Sequence, residues 1–142
     1  MMRRKGGWIE FRESMENSAE FNATRAENIM TTDEIADGAG NYLSGAEKEA
    51  YAAKFSGRED AYSEVSSFIT DIQFEIKKTN RTAVCPILLE KVEAWLKEQE
   101  EATATAKSAN LPHSAIVVRH ESELDTLKKI IKRIKKLLVV RK

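Results

Sequence analysis

Large aliphatic residues recur at alternating three- and four-residue steps near the end of the chain, at Leu124, Leu127, Ile131, Ile134 and Leu138. This spacing places them on one side of an α-helix and matches the a and d positions of a coiled-coil seam. The pattern covers only about two and a half heptads, which is short for a coiled coil that stands alone. The sequence therefore predicts a C-terminal amphipathic helix over 120–142 whose seam packs against another helix.

Basic residues surround this seam. They are Lys128, Lys129, Lys132, Arg133, Lys135 and Lys136. Residues 107–142 contain ten bases and three acids, whereas residues 1–57 contain seven bases and ten acids, and residues 58–106 six bases and ten acids. The net charge of zero thus hides a segregation of charge. Such an asymmetry indicates an anionic partner or an internal match between the tail and the body.

Four interpretations of this helix remain open. The seam packs on the chain's own body and the lysines are a solvated face, or the seam pairs with a protein partner or a second copy. In the third interpretation the lysines and Arg133 contact the phosphates of a nucleic acid. In the fourth the helix lies on an anionic membrane surface, which is disfavoured because no aromatic side chain anchors it. We expect the seam to bind the partner, with the six basic residues as the alternative, phosphate-binding site.

Helical periodicity extends through the rest of the chain. Phe68, Ile72 and Ile76 continue a stripe in a helix over Arg58–Thr79, and all three are expected to be buried. A second helix, Pro86–Glu101, follows after a short break, so the two are expected to form a central antiparallel hairpin. The fold prediction is all-α, an irregular bundle of four to five helices with a basic amphipathic C-terminal helix.

The N-terminal third gives weaker signals. A helix is predicted over Trp8–Arg25, a short one begins after Thr31 and Thr32, and Ser44 with Glu47 forms a capping box for another. Ser56 and Gly57 are expected to end that helix. A helix-turn-helix motif over 32–49 is disfavoured, because Glu47 and Glu49 would face the phosphates.

The charge and the breakers divide the chain into three parts. Residues 1–107 are expected to form an acidic helical body, residues 108–119 a linker or extended segment, and residues 120–142 the basic helix. Ala115–Val118 suggests either one short strand or an extended segment that packs on the body, since β-branched residues favour an extended conformation.

Catalytic chemistry is poorly supported by the composition. His113 and His120 are the only histidines, and they lack the spacing of a metal site. Cys85 has no neighbouring base and is expected to be an unreactive, buried thiol. We therefore expect no catalytic residue, no metal and no cofactor, and a chain that is not an enzyme.

No apolar run reaches the roughly 20 residues of a membrane span, and no secretory leader is evident, so a cytoplasmic or intracellular location is expected. The functional prediction is a non-catalytic binding or adaptor subunit of a larger protein assembly that docks through its C-terminal helix. The alternative is a nucleic-acid-associated accessory or regulatory protein that uses the basic face.

Overall fold

The computed structural model describes residues 7–32 and 45–139, which form four α-helices. They are α1 (Gly7–Thr31), α2 (Gly45–Ile76), α3 (Arg81–Ala109) and α4 (Ala115–Leu138). These ranges contain no strand, which confirms the all-α prediction. The short helix predicted after Thr32 and the cap predicted at Ser44 fall within 33–44, outside the described residues.

The contact between α2 and α4 is central to the bundle. α2 packs extensively along both α1 and α4, whereas α3 packs mainly on α4 and makes a smaller contact with α2. The structure therefore differs from the predicted central hairpin of α2 and α3. Those helices are consecutive and joined by the short link 77–80, but each contacts α4 more extensively than it contacts the other. The broad apolar side of α4 explains this arrangement, because both α2 and α3 are needed to bury it.

The main core is built by side chains from all four helices. Of the three residues expected to be buried on α2, Ile72 is buried, whereas Phe68 and Ile76 are only half-buried. Ile69, the neighbour of Phe68, faces the core instead. Phe68 packs edge-on against Trp95 of α3, with 6.3 Å between the ring centroids, so it closes the side of the core.

Both ends of α1 are fixed to the rest of the bundle. At its beginning, the Trp8 indole Nε1 donates a hydrogen bond of 2.7 Å to the Thr79 carbonyl in the link between α2 and α3. At its other end, Ile29 packs with Phe55 in a second, smaller apolar cluster. The first helix is therefore a full member of the bundle.

α2 runs without a break through Ser56 and Gly57, so the predicted helix end at this point is wrong. Glycine inside a helix costs roughly 1 kcal/mol relative to alanine, and local preference alone would favour a stop. Packing explains the exception. A β-carbon at Gly57 would lie 2.9 Å from the Ser122 β-carbon and would collide with the Arg119 carbonyl oxygen. The missing side chain lets the α4 backbone approach α2 closely.

α4 begins at Ala115, so the extended segment expected over 108–119 is largely helical. Only 110–114 separate α3 from α4. Val117 is 1% exposed, and the Val118 amide donates to the Ser114 carbonyl at 3.0 Å to close the first turn. A short apolar run does not by itself distinguish strand from helix, and burial against the bundle favours the helix. Residues 120–138 therefore continue a helix that has already begun at Ala115.

We predict that Gly57→Ala lowers the free energy of unfolding by about 1–3 kcal/mol, because crowding of a packed interface exceeds the gain in helix propensity. Gly45→Ala is the control, since no atom lies within 4 Å of the β-carbon that it adds. Urea unfolding followed by circular dichroism measures both. Equal stability of the two variants would show that the close approach at Gly57 is not a constraint.

Candidate functional site

The apolar seam of α4 lies inside the bundle. Leu127, Ile131 and Ile134 are buried in the main core, Leu124 is half-buried and Leu138 is 39% exposed. The chain's own helices thus bury three of the five residues that were expected to bind a partner, and they cover Leu124 in part. The structure agrees with the interpretation in which the seam packs on the body, because three-and-four spacing serves an internal core as well as a coiled coil.

The opposite side of α4 forms an exposed basic face. All six predicted basic residues are exposed. Between Thr126 and Leu138 the helix contains no acidic residue. The structure therefore brings the alternative, phosphate-binding set together on one surface, while it removes the seam from that surface.

Three members of the basic face have partners within the chain. The Lys129 ammonium lies 3.4 Å from an Asp125 carboxylate oxygen, and the Lys135 ammonium lies 3.8 Å from Glu93 of α3. Arg133 donates to the Ser14 hydroxyl at 3.0 Å. The two exposed ion pairs contribute at most about 1 kcal/mol each, so a competing anion can displace them.

Arg133 also lies over an aromatic ring. Its guanidinium carbon is 5.2 Å from the centroid of Phe11 in α1. Together with Lys136, these side chains line a cleft of about 260 Å³ between α1 and α4, which Gly7 and Leu137 complete. The cleft combines two cations with an apolar floor at the end of the basic face.

Lys128, Lys132 and Lys136 form what we call the basic strip. No carboxylate of the described residues lies within ion-pair distance of these three ammonium groups. They follow one another at four-residue intervals, which gives a strip about 12 Å long on one side of the helix. The strip is thus the part of α4 with the most available positive charge.

A buried carboxyl group lies where α4 crosses α2. Glu123 is 7% exposed, and its pKa is raised from 4.5 to about 7 by burial first and then by the nearby carboxylates of Asp60 and Glu64. Arg119 opposes this shift, but its guanidinium is engaged by Asp60 through hydrogen bonds of 2.7 and 3.0 Å. Glu123 was missed in the sequence, although it precedes Leu127 by four residues and so lies on the apolar side.

Within the described ranges, no group of three histidine, cysteine, aspartate or glutamate residues is arranged to hold a metal ion. His113 is exposed and His120 is half-buried. Cys85 is fully buried in α3, and burial raises the pKa of its thiol to about 11, with Arg81 opposing the shift. The expected unreactive thiol is consistent with this environment.

None of the four described helices has the length and hydropathy needed to cross a bilayer. Comparison with protein-family models gives no match, and searches against curated proteins and against solved structures give none either.

We predict that Glu123→Gln removes a pH dependence of stability. The folded protein holds the Glu123 proton up to about pH 7, whereas the unfolded chain releases it near pH 4.5. The free energy of unfolding of the natural sequence therefore falls as the pH rises between these values, by roughly 3 kcal/mol. At pH 8 the glutamine variant is expected to be the more stable protein, and below about pH 4.5 the difference disappears.

Urea unfolding between about pH 4 and pH 8.5 measures this effect. Glu121→Gln is the matched control, because Glu121 is exposed and pairs with Lys107 at 3.0 Å. Its curve should run parallel to that of the natural sequence. A Glu123→Gln curve that also ran parallel would contradict the buried, protonated carboxyl.

We predict that a thiol reagent at neutral pH labels Cys85 at least about a hundredfold more slowly than an exposed cysteine, because burial limits both access and the thiolate fraction. Ser67→Cys supplies the exposed reference on α2, and absorbance after mixing with an aromatic disulfide reports both rates. Complete labelling is expected in concentrated guanidinium. Equal rates in the folded protein would mean that α3 opens readily around Cys85.

Proposed function

We propose that this chain is a non-catalytic binding or adaptor subunit that docks on an acidic protein surface through the exposed basic face of α4. The observation that carries the proposal is the segregation of the two sides of one helix. The apolar side is buried in the chain's own core, and the other side presents six bases without an acid between Thr126 and Leu138.

The basic face replaces the apolar seam as the means of docking. A partner that used the seam would first have to separate α4 from α2 and α3, which would expose Leu127, Ile130 and Ile134, each at most 1% exposed. Exposing side chains of this size costs roughly 1.5–3 kcal/mol each. The lysines need no such rearrangement, because they already lie at the surface.

Neighbouring acids favour a protein over a nucleic acid as the partner. On one side, Glu90, Glu93 and Glu100 of α3 line the same groove as Lys135. On the other, Glu10 and Glu13 of α1 line a groove with Ser14, the partner of Arg133. A nucleic acid carries a negative charge at every phosphate and would meet these carboxylates. A protein can place acids opposite the lysines and bases opposite the glutamates.

The test compares one set of lysines with another. Lys128→Gln, Lys132→Gln and Lys136→Gln together remove the basic strip, and Lys77→Gln, Lys78→Gln and Lys91→Gln remove three exposed lysines elsewhere. The probe is a fluorescent poly-glutamate peptide of about 20 residues, followed by anisotropy at low and moderate salt. We expect the strip variant to bind at least about tenfold more weakly, and the control variant to bind like the natural sequence.

Two results would overturn the proposal. Equal loss of binding in both lysine variants would show that net charge, and not the basic face, attracts the peptide. Tighter binding of a 20-base-pair duplex DNA than of poly-glutamate, abolished by the strip variant and falling steeply with salt, would assign the face to nucleic acid. Circular dichroism of each variant confirms that the fold is intact.

A further inference from the structure

A groove of opposite charge lies on another part of the bundle. It runs between α1 and α2, has a volume of about 350 Å³, and carries three carboxylates on its walls, those of Glu16, Glu20 and Glu59. Among the described residues no base lines it. The remaining lining residues are small, and they are Ala19, Ala23, Ser63 and Ser66. We call this surface the acidic groove.

The acidic groove faces away from the basic strip. Gly57 marks the side of α2 that contacts α4. Since an α-helix turns about 100° per residue, Glu59 and Ser66 lie roughly half a turn around α2 from Gly57. The acidic groove therefore lies on the side of α2 that points away from α4, and the basic strip of the same copy cannot reach it. A contact between the strip and the groove requires two copies.

The two surfaces match in charge and in spacing. Glu16 and Glu20 are one helical turn apart, about 6 Å along α1, which is also the interval between consecutive lysines of the basic strip. Neither carboxylate is paired with a base among the described residues. Small side chains between the carboxylates allow another helix to approach closely, so lysines from that helix can reach them.

The other acidic surfaces fit less well. The groove between α3 and α4 contains Lys97 and Lys135 among its acids. The groove along α1 lined by Glu10 and Glu13 includes Ser14, which is bonded to the chain's own Arg133. Within the part of the chain that the structure describes, the acidic groove of α1 and α2 has neither an interleaved base nor a contact to the chain's own basic face.

We propose that the acidic partner of the basic strip is a second copy of this chain, whose acidic groove receives Lys128, Lys132 and Lys136. This inference rests on the proposed use of the basic face. Because the contact joins two different surfaces, it is heterologous, and repetition produces either a closed ring or an open chain of copies. The balance of 23 bases and 23 acids in the chain agrees with a surface that complements itself.

Reciprocal charge reversal tests the contact. One variant carries Lys128→Glu and Lys132→Glu, and the other carries Glu16→Lys and Glu20→Lys. Either variant alone places like charges opposite each other, so its self-association should be at least about tenfold weaker than that of the natural sequence. In an equimolar mixture each surface again meets its opposite, and association should return. Sedimentation velocity at low salt measures all three against the monomer mass of 16.0 kDa.

The control is Glu98→Lys with Glu101→Lys, which changes the net charge by the same amount as Glu16→Lys with Glu20→Lys, but on exposed positions of α3. This variant should associate like the natural sequence. The inference is overturned if the natural sequence sediments as a monomer at about 200 µM in low salt. It is also overturned if the mixture of reversed variants fails to associate. Poly-glutamate binding by a monomeric natural sequence would retain the proposed function and reject only the second copy as the partner.

Discussion

The close approach of α4 to α2 at Gly57 is the contact on which the rest of the bundle depends. It holds the beginning of α4 against the middle of α2, and from there the apolar side of α4 continues into the core formed with α3. The same contact brings Arg119 to Asp60 and buries Glu123. Because the apolar side of α4 packs against the other helices, the basic side chains of α4 lie on its opposite, solvent-exposed side.

The helical class of this fold could be predicted from periodicity, because three-and-four spacing of apolar residues is a local property. The helix boundaries could not. Gly57 and the run at Ala115–Val118 favour a break and an extended segment when only neighbours along the chain are considered. In the folded protein both are decided by tertiary packing, since Gly57 admits the backbone of α4 and Val117 is buried. The helices that pack against α4 could not be predicted for a related reason. Periodicity shows which side of a helix is buried, but it does not show which other helix buries it.

The sequence also indicated the six basic residues of the candidate surface, but it could not show which of them are free to bind a partner. Their availability depends on residues far away along the chain, such as Ser14 and Phe11 beside Arg133 and Glu93 beside Lys135. The acidic groove could not be predicted from the sequence for the same reason. Its walls come from two helices, and the packing of the core sets how these helices are rotated relative to each other. Glu123 is different. Its place on the apolar side of α4 was available from spacing alone, and the lone carboxyl within that side was the signal.

The beginning of α1 lies directly beside the end of α4, since a β-carbon added at Gly7 would lie 3.2 Å from a methyl carbon of Leu137. The first and the last ends of the described helices are thus adjacent in the bundle. A short peptide could join these two ends into a circle, and new ends could then be opened in the link 77–80 or the link 110–114 without separating any packed pair of helices. The order in which the four helices are synthesised is therefore separable from the arrangement in which they pack.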